Sequence, residues 1–331
     1  MIRNDWNPGR LLELSGSYWS ACTLHAAVKL DIFSAVSDTH LTSEEIVRKT
    51  GGSRRSMETL LNALVAMKLM DKSDNRYSNT EFGERFLSKF SAEYIGHIIS
   101  HHHHLVESWA RLDEAVLTAK PVRSKVSHGD DQKRESFLMG MFNLAMAIAP
   151  VLVKQVDLSD RSCLLDLGGG PGTYAIHFCL HNPGLKAVVY DLPATRPFAE
   201  KTIRQFDLAD RIEFKDGDFL TKGIDGEFDV AWLSHILHGE GPDDCLKILK
   251  KTVSALKPGG VILIHEFILD NSMEAPLFPA LFSLNMLLGT PKGRSYSEEQ
   301  LFKMLEDAGA HDAKRISFKG PNDSGVISGV V

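Results

Sequence analysis

Residues 163–191, CLLDLGGGPGTYAIHFCLHNPGLKAVVYD, limit the folds open to this chain more than any other stretch. Cys163, Leu164 and Leu165 form an apolar run suited to a buried parallel strand, and the glycine-rich segment Asp166-Leu167-Gly168-Gly169-Gly170-Pro171-Gly172 follows. A helix-like segment over 173–180 leads to a second apolar run, 187–190, which ends on Asp191. Strand, glycine turn, helix, strand and terminal acid make a nucleotide-binding βαβ unit. Without Cβ atoms the turn can take positive φ and let a ligand touch the backbone. Asp191, 19 residues beyond Gly172, is placed to accept hydrogen bonds from both hydroxyls of a ribose.

The remainder of the chain surrounds that unit with two kinds of structure. Residues 156–331 alternate strands and helices, with further strands expected at 212–215, 229–234, 261–267, 313–317 and 325–330. The last, rich in Gly and Val after a short turn, suits an antiparallel insertion at the sheet edge. Before residue 156 the pattern is helical. Residues 8–35 are apolar on more than one face (Leu11, Leu12, Leu14, Tyr18, Trp19), which suits burial against a partner subunit as well as a core role. Thr42-Ser43-Glu44-Glu45 is a capping box, the helix it opens stops at Gly51-Gly52, Ser53 starts another, and 69–80 reads as a hairpin around Ser73-Asp74-Asn75. That order predicts a winged helix over 1–95. Residues 92–155 read as helical apart from a polar break at 120–131 that holds Pro121 and Gly129. The expected division is 1–95 for dimerisation, 96–155 as a helical linker that contributes to the substrate pocket, and 156–331 for the ligand-binding domain.

A winged helix invites comparison with DNA-binding proteins, and charge argues against it. Between residues 41 and 90 the bases exceed the acids by only two, Glu58 sits on the would-be recognition helix, and the whole chain carries a net charge of −6. A general nucleic-acid or anionic-membrane binder would show a basic stripe. The four cysteines (Cys22, Cys163, Cys179, Cys245) show no CxxC spacing, so neither a zinc site nor a disulfide framework is indicated. Arg3, Asp5 and Arg10 precede any apolar run, and the chain shows no 18-residue apolar segment, so a cytoplasmic protein with no membrane role is expected.

Two details choose the ligand. A dinucleotide fingerprint wants a small residue three positions after the second glycine, and Thr173 stands there. The spacing is Asp-x-Gly-x-Gly-x-Gly (Asp166, Gly168, Gly170, Gly172), and a Lys257-Pro258-Gly259-Gly260 turn ends a helix and enters the buried strand at 261. This combination resembles the class I methyltransferases that use S-adenosylmethionine (SAM). The resemblance implies a Rossmann-like, seven-stranded α/β domain, with Asp166, Gly168, Gly170, Asp191 and its neighbour Leu192 around the cofactor. Asp218 and Phe219 would hold the adenine, and no metal takes part.

A methyl on a sulfonium is already an electrophile, so the protein must align it, exclude water and often remove a proton. A general base near neutral pH is most economically a histidine, and His235 and His238 both follow the strand ending near Ser234. Here the chain resembles the caffeic-acid and hydroxyindole type of O-methyltransferase, whose catalytic histidine precedes a cysteine by seven residues, as His238 precedes Cys245. The same resemblance assigns Glu266 to the next strand end, beside the base. It matches Phe142 and Met146 to a Phe-Asn-x-x-Met segment that packs on substrate, and it implies a homodimer acting on a small molecule. His97, His101 and His104 share one helix face; His101 and His104 are candidates to line the substrate, a metal being the other use of such spacing. Arg294 could meet an acidic substrate or remain a solvated loop cation.

The departures matter too. Gly239 and Glu240 replace the family's Asp and Trp, Ser234 stands where plant members have a SAM-touching lysine, and Ser295 replaces a second glutamate flanking the base. These leave open methylation of N, S or C, other SAM chemistry on the same fold, and a SAM-sensing winged-helix regulator; a nicotinamide oxidoreductase stands further off.

Overall fold

The computed structural model describes residues 6–124 and 131–331; Arg3, Asp5 and Gly129 lie outside them. The chain divides into two compact units, Met1–Val106 and Glu107–Val331.

The first unit begins with three short helices, α1 (Pro8–Gly16), α2 (Tyr18–Lys29) and α3 (Ile32–Val36), broken by Ser17 and by Asp31 at φ 57°. Strand β1 (Leu41–Thr42) leads into α4 (Ser43–Thr50), whose start carries the expected capping box between Thr42 and Glu45. Gly51 ends α4 at φ 85°, a conformation that glycine takes without Cβ strain. Helix α5 (Arg54–Ala66) starts on Ser53 and buries Met57, Leu61 and Leu64. Strands β2 (Met70–Ser73) and β3 (Arg76–Asn79) pair antiparallel across Asp74 and Asn75, both at positive φ as a tight hairpin turn requires. With β1 they form a three-stranded sheet in the order β1-β3-β2. Helices α6 (Glu81–Leu87) and α7 (Gly96–Trp109) follow, and the boundary between the units falls within α7. Leu11, Leu12, Leu14, Tyr18 and Trp19 are all exposed by more than half, so the apolar surface of α1 and α2 is not used within this unit's core.

The second unit opens with α8 (Leu112–Thr118) and α9 (Asp131–Leu152). The helical stretch Lys133–Gln155 holds an 18-residue window with a mean hydropathy of 1.9 and is long and apolar enough to cross a membrane, which corrects the expectation that no such segment exists. Asn143 interrupts the run without charging it, so a strict count of apolar residues overlooks it. Ala149, Leu152 and Val153 of this stretch sit in the main core, as a core helix of a soluble protein also would.

The sheet follows. Strands β4 (Cys163–Leu167), β5 (Lys186–Asp191), β6 (Ile212–Asp216), β7 (Phe228–Ser234) and β8 (Leu256–Phe267) are parallel, alternating with α10 (Thr173–His181), α11 (Arg196–Gln205) and α12 (Pro242–Ser254). After α13 (Leu277–Gly289) and α14 (Glu298–Ala308), β9 (His311–Lys319) and β10 (Ser324–Val330) complete seven strands in the order β6-β5-β4-β7-β8-β10-β9. β10 is antiparallel as expected, but it is inserted between β8 and β9, which leaves β9 at the edge. Lys257–Gly260 lies inside β8 and does not end a helix, since α12 has already stopped at Ser254.

Buried apolar side chains cover both faces of the sheet, one cluster around Leu164, Phe178, Val189 and Trp232, the other around Leu165, Leu233, Ile264 and Leu301. Such coverage is what near-continuous apolar strands demand. Strand order reverses between β4 and β7, and the carboxyl ends at such a reversal form the ligand crevice of doubly wound sheets.

Candidate active site

The β4–β5 half of the crevice is made of backbone. Gly168, Gly170 and Gly172 take φ of 66°, 55° and 78°. A Cβ on Gly168 would lie 2.6 Å from Ile236 Cγ2 and 3.3 Å from the Phe219 ring, so this glycine lets the turn pack closely against the loops after β6 and β7. A Cβ on Gly170 would meet nothing within 4 Å, so there the turn faces open space. Asp191 fixes the far side: its Oδ2 accepts from the Gly170 N–H at 2.8 Å and its Oδ1 from the Leu192 N–H at 2.6 Å. Burial raises its pKa, and these two bonds oppose the rise.

Asp166 is fully buried; one oxygen accepts from the Ala175 N–H at 3.2 Å and the other has no partner. Burial pushes its pKa up to about 7, the Ala175 bond opposing and the Asp191 charge adding to the rise. The buried Thr173 hydroxyl is also unpartnered. Orphaned buried polar atoms are costly unless something meets them. With the open face of Gly170, they fit a ligand that has polar groups and a ribose, as SAM does.

The β7–β8 half is made of side chains. Ser234 pairs in register with His265, so the short turn Leu237–Gly239 after β7 folds over the end of β8. Glu266, only 2% exposed, accepts there from the backbone N–H of Leu237 at 2.9 Å and of His238 at 3.3 Å, both through Oε1. Its Oε2 stands 2.7 Å from His238 Nδ1, the length of a charge-assisted hydrogen bond. Burial alone would raise the Glu266 pKa; the His238 charge and hydrogen bonding overcome it and hold the carboxyl well below the usual range.

His235, at φ 56°, packs at a tilt against Phe267 and His265 at centroid distances of 4.3 and 4.4 Å. Its Nδ1 lies 3.6 Å from Glu266 Oε2, beyond hydrogen-bond length. Ligand atoms of His235, His238 and Glu266 lie within 4.8 Å of one another, close enough to consider a metal. The 2.7 Å contact is shorter than the roughly 3.3 Å that separates two ligands bound tetrahedrally about 2.0–2.1 Å from one ion.

Cys245 explains its own spacing. Pro242 starts α12, and the Cys245 thiol, one turn in, donates back to the Leu237 carbonyl at 3.2 Å in the turn that carries His238. Burial pushes the thiol pKa up to about 12, so it remains a neutral donor. The Tyr296 hydroxyl ties Glu240 of the same turn through its carbonyl at 2.5 Å.

The other expected site residues are placed unevenly. Phe219 reaches the glycine turn at Gly168; Asp218 accepts from the Leu220 N–H at 2.9 Å and shapes its own loop. The Ser234 hydroxyl is 3.0 Å from His265 Nδ1. Met146 meets His177 of α10, its sulfur 3.3 Å from Nε2, with Phe142 one turn earlier on the same helix face. His101 and His104 belong to the first unit, the former buried and the latter half-buried on α7. Arg294 is exposed, its guanidinium 5.3 Å over the Tyr296 ring. Ser295 is fully buried: its hydroxyl donates to the Pro279 carbonyl at 2.8 Å and its N–H to Ser283 Oγ at 3.0 Å, so it anchors α13.

Phe267, Phe278 and Phe282, which the sequence reading does not single out one by one, form an aromatic wall beside His238. Phe282 lies edge-on to His238 at 4.8 Å, and Phe267 meets Phe278 and Phe282 at 4.9 and 4.8 Å. The run Leu277-Phe278-Pro279-Ala280-Leu281-Phe282 carried the signal, as an apolar helix with two aromatics four apart.

Comparison with known proteins agrees along the whole chain. The profile of the O-methyltransferase domain matches residues 119–311, and that of the O-methyltransferase dimerisation domain matches residues 12–89. The 3-hydroxy-5-methyl-1-naphthoate 3-O-methyltransferase of Streptomyces sahachiroi is 31% identical over 329 residues, covering 98% of this chain and 95% of that protein. The N,N-dimethyltransferase OxyT of Streptomyces rimosus is 30% identical over 320 residues, 92% of each chain. Among solved structures, PigF with SAH superposes at a TM-score of 0.89 with 25% identity, covering 98% of this chain and 100% of that one; PigF is from a Serratia species.

Proposed function

The chain belongs to the O-methyltransferase family, with SAM as methyl donor, and on that premise we propose that it methylates a hydroxyl oxygen of an aromatic small molecule with His238 as general base. The observation that carries this reading is the 2.7 Å bond between His238 and the buried Glu266. An Nδ1–H that donates to the carboxylate leaves Nε2 free to accept the hydroxyl proton. As that proton arrives, the Glu266 charge stabilises the imidazolium it creates. When bound, SAM supplies the electrophilic methyl. The chain aligns the acceptor oxygen with it, and Phe267, Phe278 and Phe282 keep water from the reacting atoms.

In this reading Asp191 holds the ribose hydroxyls, with Asp166, Gly168, Gly170 and Leu192 around the rest of the cofactor. Asp218 and Phe219 take the adenine, and Ser234 shapes the floor through His265. Phe142 and Met146 are assigned to the acceptor's surroundings. We place a winged-helix dimerisation region at 1–95, a linker at 96–155 and catalysis at 156–331. The exposed Leu11, Leu12, Leu14, Tyr18 and Trp19 support a homodimer, and light scattering at micromolar protein should return twice the 36.7 kDa chain mass.

A second reading, methylation of nitrogen, is favoured by the likeness to an N,N-dimethyltransferase. Incubation with isotopically labelled SAM and matched phenols and anilines separates the two. The proposal expects label in an O–CH3 group; label confined to N–CH3 products overturns it.

A further inference from the structure

Arg123 is a half-buried guanidinium that meets no acid among the described residues. Its Nη2 donates to the carbonyl and the side-chain oxygen of Asn285 at 3.1 and 3.0 Å, and its Nε has no partner. Arg211 also lacks an acid, but its Nε and Nη2 are filled by the carbonyls of Cys179, Asn182 and Leu185. Arg123 is built in rather than stray. Both its own N–H and that of Val122 donate to the Leu288 carbonyl, at 3.1 and 3.0 Å. Gly289 makes room for it, since a Cβ there would lie 2.6 Å from the guanidinium carbon.

The place of this cation follows from the helix it rests on. Phe278, Phe282, Asn285 and Gly289 recur at i, i+4, i+7 and i+11 and so share one face of α13. The first two form the aromatic wall beside His238; the last two carry Arg123. Neighbouring positions on a helix face are about 5–6 Å apart, so the cation lies along the same wall on the order of 10 Å from the base. Burial lowers the guanidinium pKa, as expected for a cation that lacks an anion nearby.

We propose that Arg123 recognises an anion on the acceptor: the molecule methylated carries, at the end remote from its reacting hydroxyl, a carboxylate or similar planar anion that the guanidinium binds. This rests on the reading of the α13 wall as the acceptor's side of the crevice. It moves the acid-binding role from exposed Arg294 to Arg123. A planar guanidinium suits an anion of carboxylate shape better than a point charge would.

The test is a panel of hydroxybenzoates, hydroxycinnamates and hydroxynaphthoates, each beside its methyl ester, assayed for kcat/KM with wild type, Arg123→Gln and Arg123→Lys. Wild type should favour at least one acid over its ester by tenfold or more. In Arg123→Gln that acid-to-ester ratio should collapse towards one, and Arg123→Lys should keep only part of it. Wild-type ratios near one throughout the panel overturn the proposal. So does a ratio that survives Arg123→Gln while acid and ester rates fall together, which is the behaviour of a residue that only caps α13. If Arg123→Gln does not fold, an unchanged ratio in Arg123→Lys overturns it. Calorimetry of the acids with protein loaded with S-adenosylhomocysteine decides Arg123 without turnover: binding weakened at least tenfold by Arg123→Gln supports it, and equal binding overturns it. Absence of O-methylation from both acids and esters would instead count against the proposed reaction.

Discussion

The two halves of the strand-end crevice are built by different means. Around the glycine turn, the hydrogen bonds are local and end on backbone N–H groups: Gly170 and Asp191 are 21 residues apart, Asp166 and Ala175 nine. Around His238 they are distant and run through side chains: 28 residues to Glu266 from the imidazole, 56 from Tyr296 to Glu240, 162 from Arg123 to Asn285. A backbone site tolerates little change and suits a ligand that never varies. A side-chain site can be altered one residue at a time, which suits an acceptor that differs between relatives. The halves should therefore fail separately when mutated.

The largest separation is expected from His238→Ala. Removing the base should cut turnover by about a hundredfold or more, while calorimetry finds SAM affinity as in wild type. Wild-type turnover in this variant would mean that alignment alone carries the reaction, as with a sulfur or an already ionised oxygen. A loss of SAM affinity would show that the halves are coupled.

Asp191→Ala is the mirror experiment. Hydrogen bonds to a charged group are worth about 1.5–3 kcal/mol, so the SAM Kd should rise by roughly 10–150-fold, with turnover at saturating SAM largely kept. The same carboxylate also holds the Gly170 and Leu192 N–H groups, so part of the loss will come from the turn itself. Unchanged affinity would remove Asp191 from the cofactor's contacts.

Glu266→Gln should cost less, about tenfold in turnover, a fraction of what the base supplies. Glutamine can still accept from Leu237 and His238 but cannot balance an imidazolium. The variant also reports on stability. A carboxyl whose folded pKa is depressed adds stability above its unfolded value, near 4.3, and loses that stability as pH falls towards the folded value. Melting temperatures taken downward from about pH 5 should thus fall more steeply in wild type than in Glu266→Gln; parallel curves would deny the depressed carboxyl.

This contrast also explains what could be read from the chain before its fold was known. The βαβ unit was legible because strand, glycines and Asp191 follow one another within 29 residues. The capping box at Thr42 and the hairpin at Asp74-Asn75 were legible for the same reason. The pair of His238 and Glu266 was reached through family likeness, since no local rule joins positions 28 apart. Ser295 appeared only as a missing glutamate; its place in the fold makes it an anchor for α13. Arg123 gives no signal in the sequence, because only the packing of α13 shows a cation that meets no acid among the described residues.

The smallest effect tests whether the open side of the glycine turn belongs to the cofactor. Gly168 and Gly170 both have positive φ, so alanine at either costs roughly 1–2 kcal/mol in backbone strain. Gly168→Ala adds a clash, its Cβ 2.6 Å from Ile236, and should destabilise further. Gly170→Ala meets nothing within 4 Å, so strain should be its whole folding cost. For a unit of this size that lowers the melting temperature by about 2–8 °C. If the cofactor fills that space, the same methyl group must also raise the SAM Kd severalfold, beyond anything the fold records. A Gly170→Ala protein with the expected melting temperature and unchanged SAM affinity would mean that the cofactor lies elsewhere along the turn.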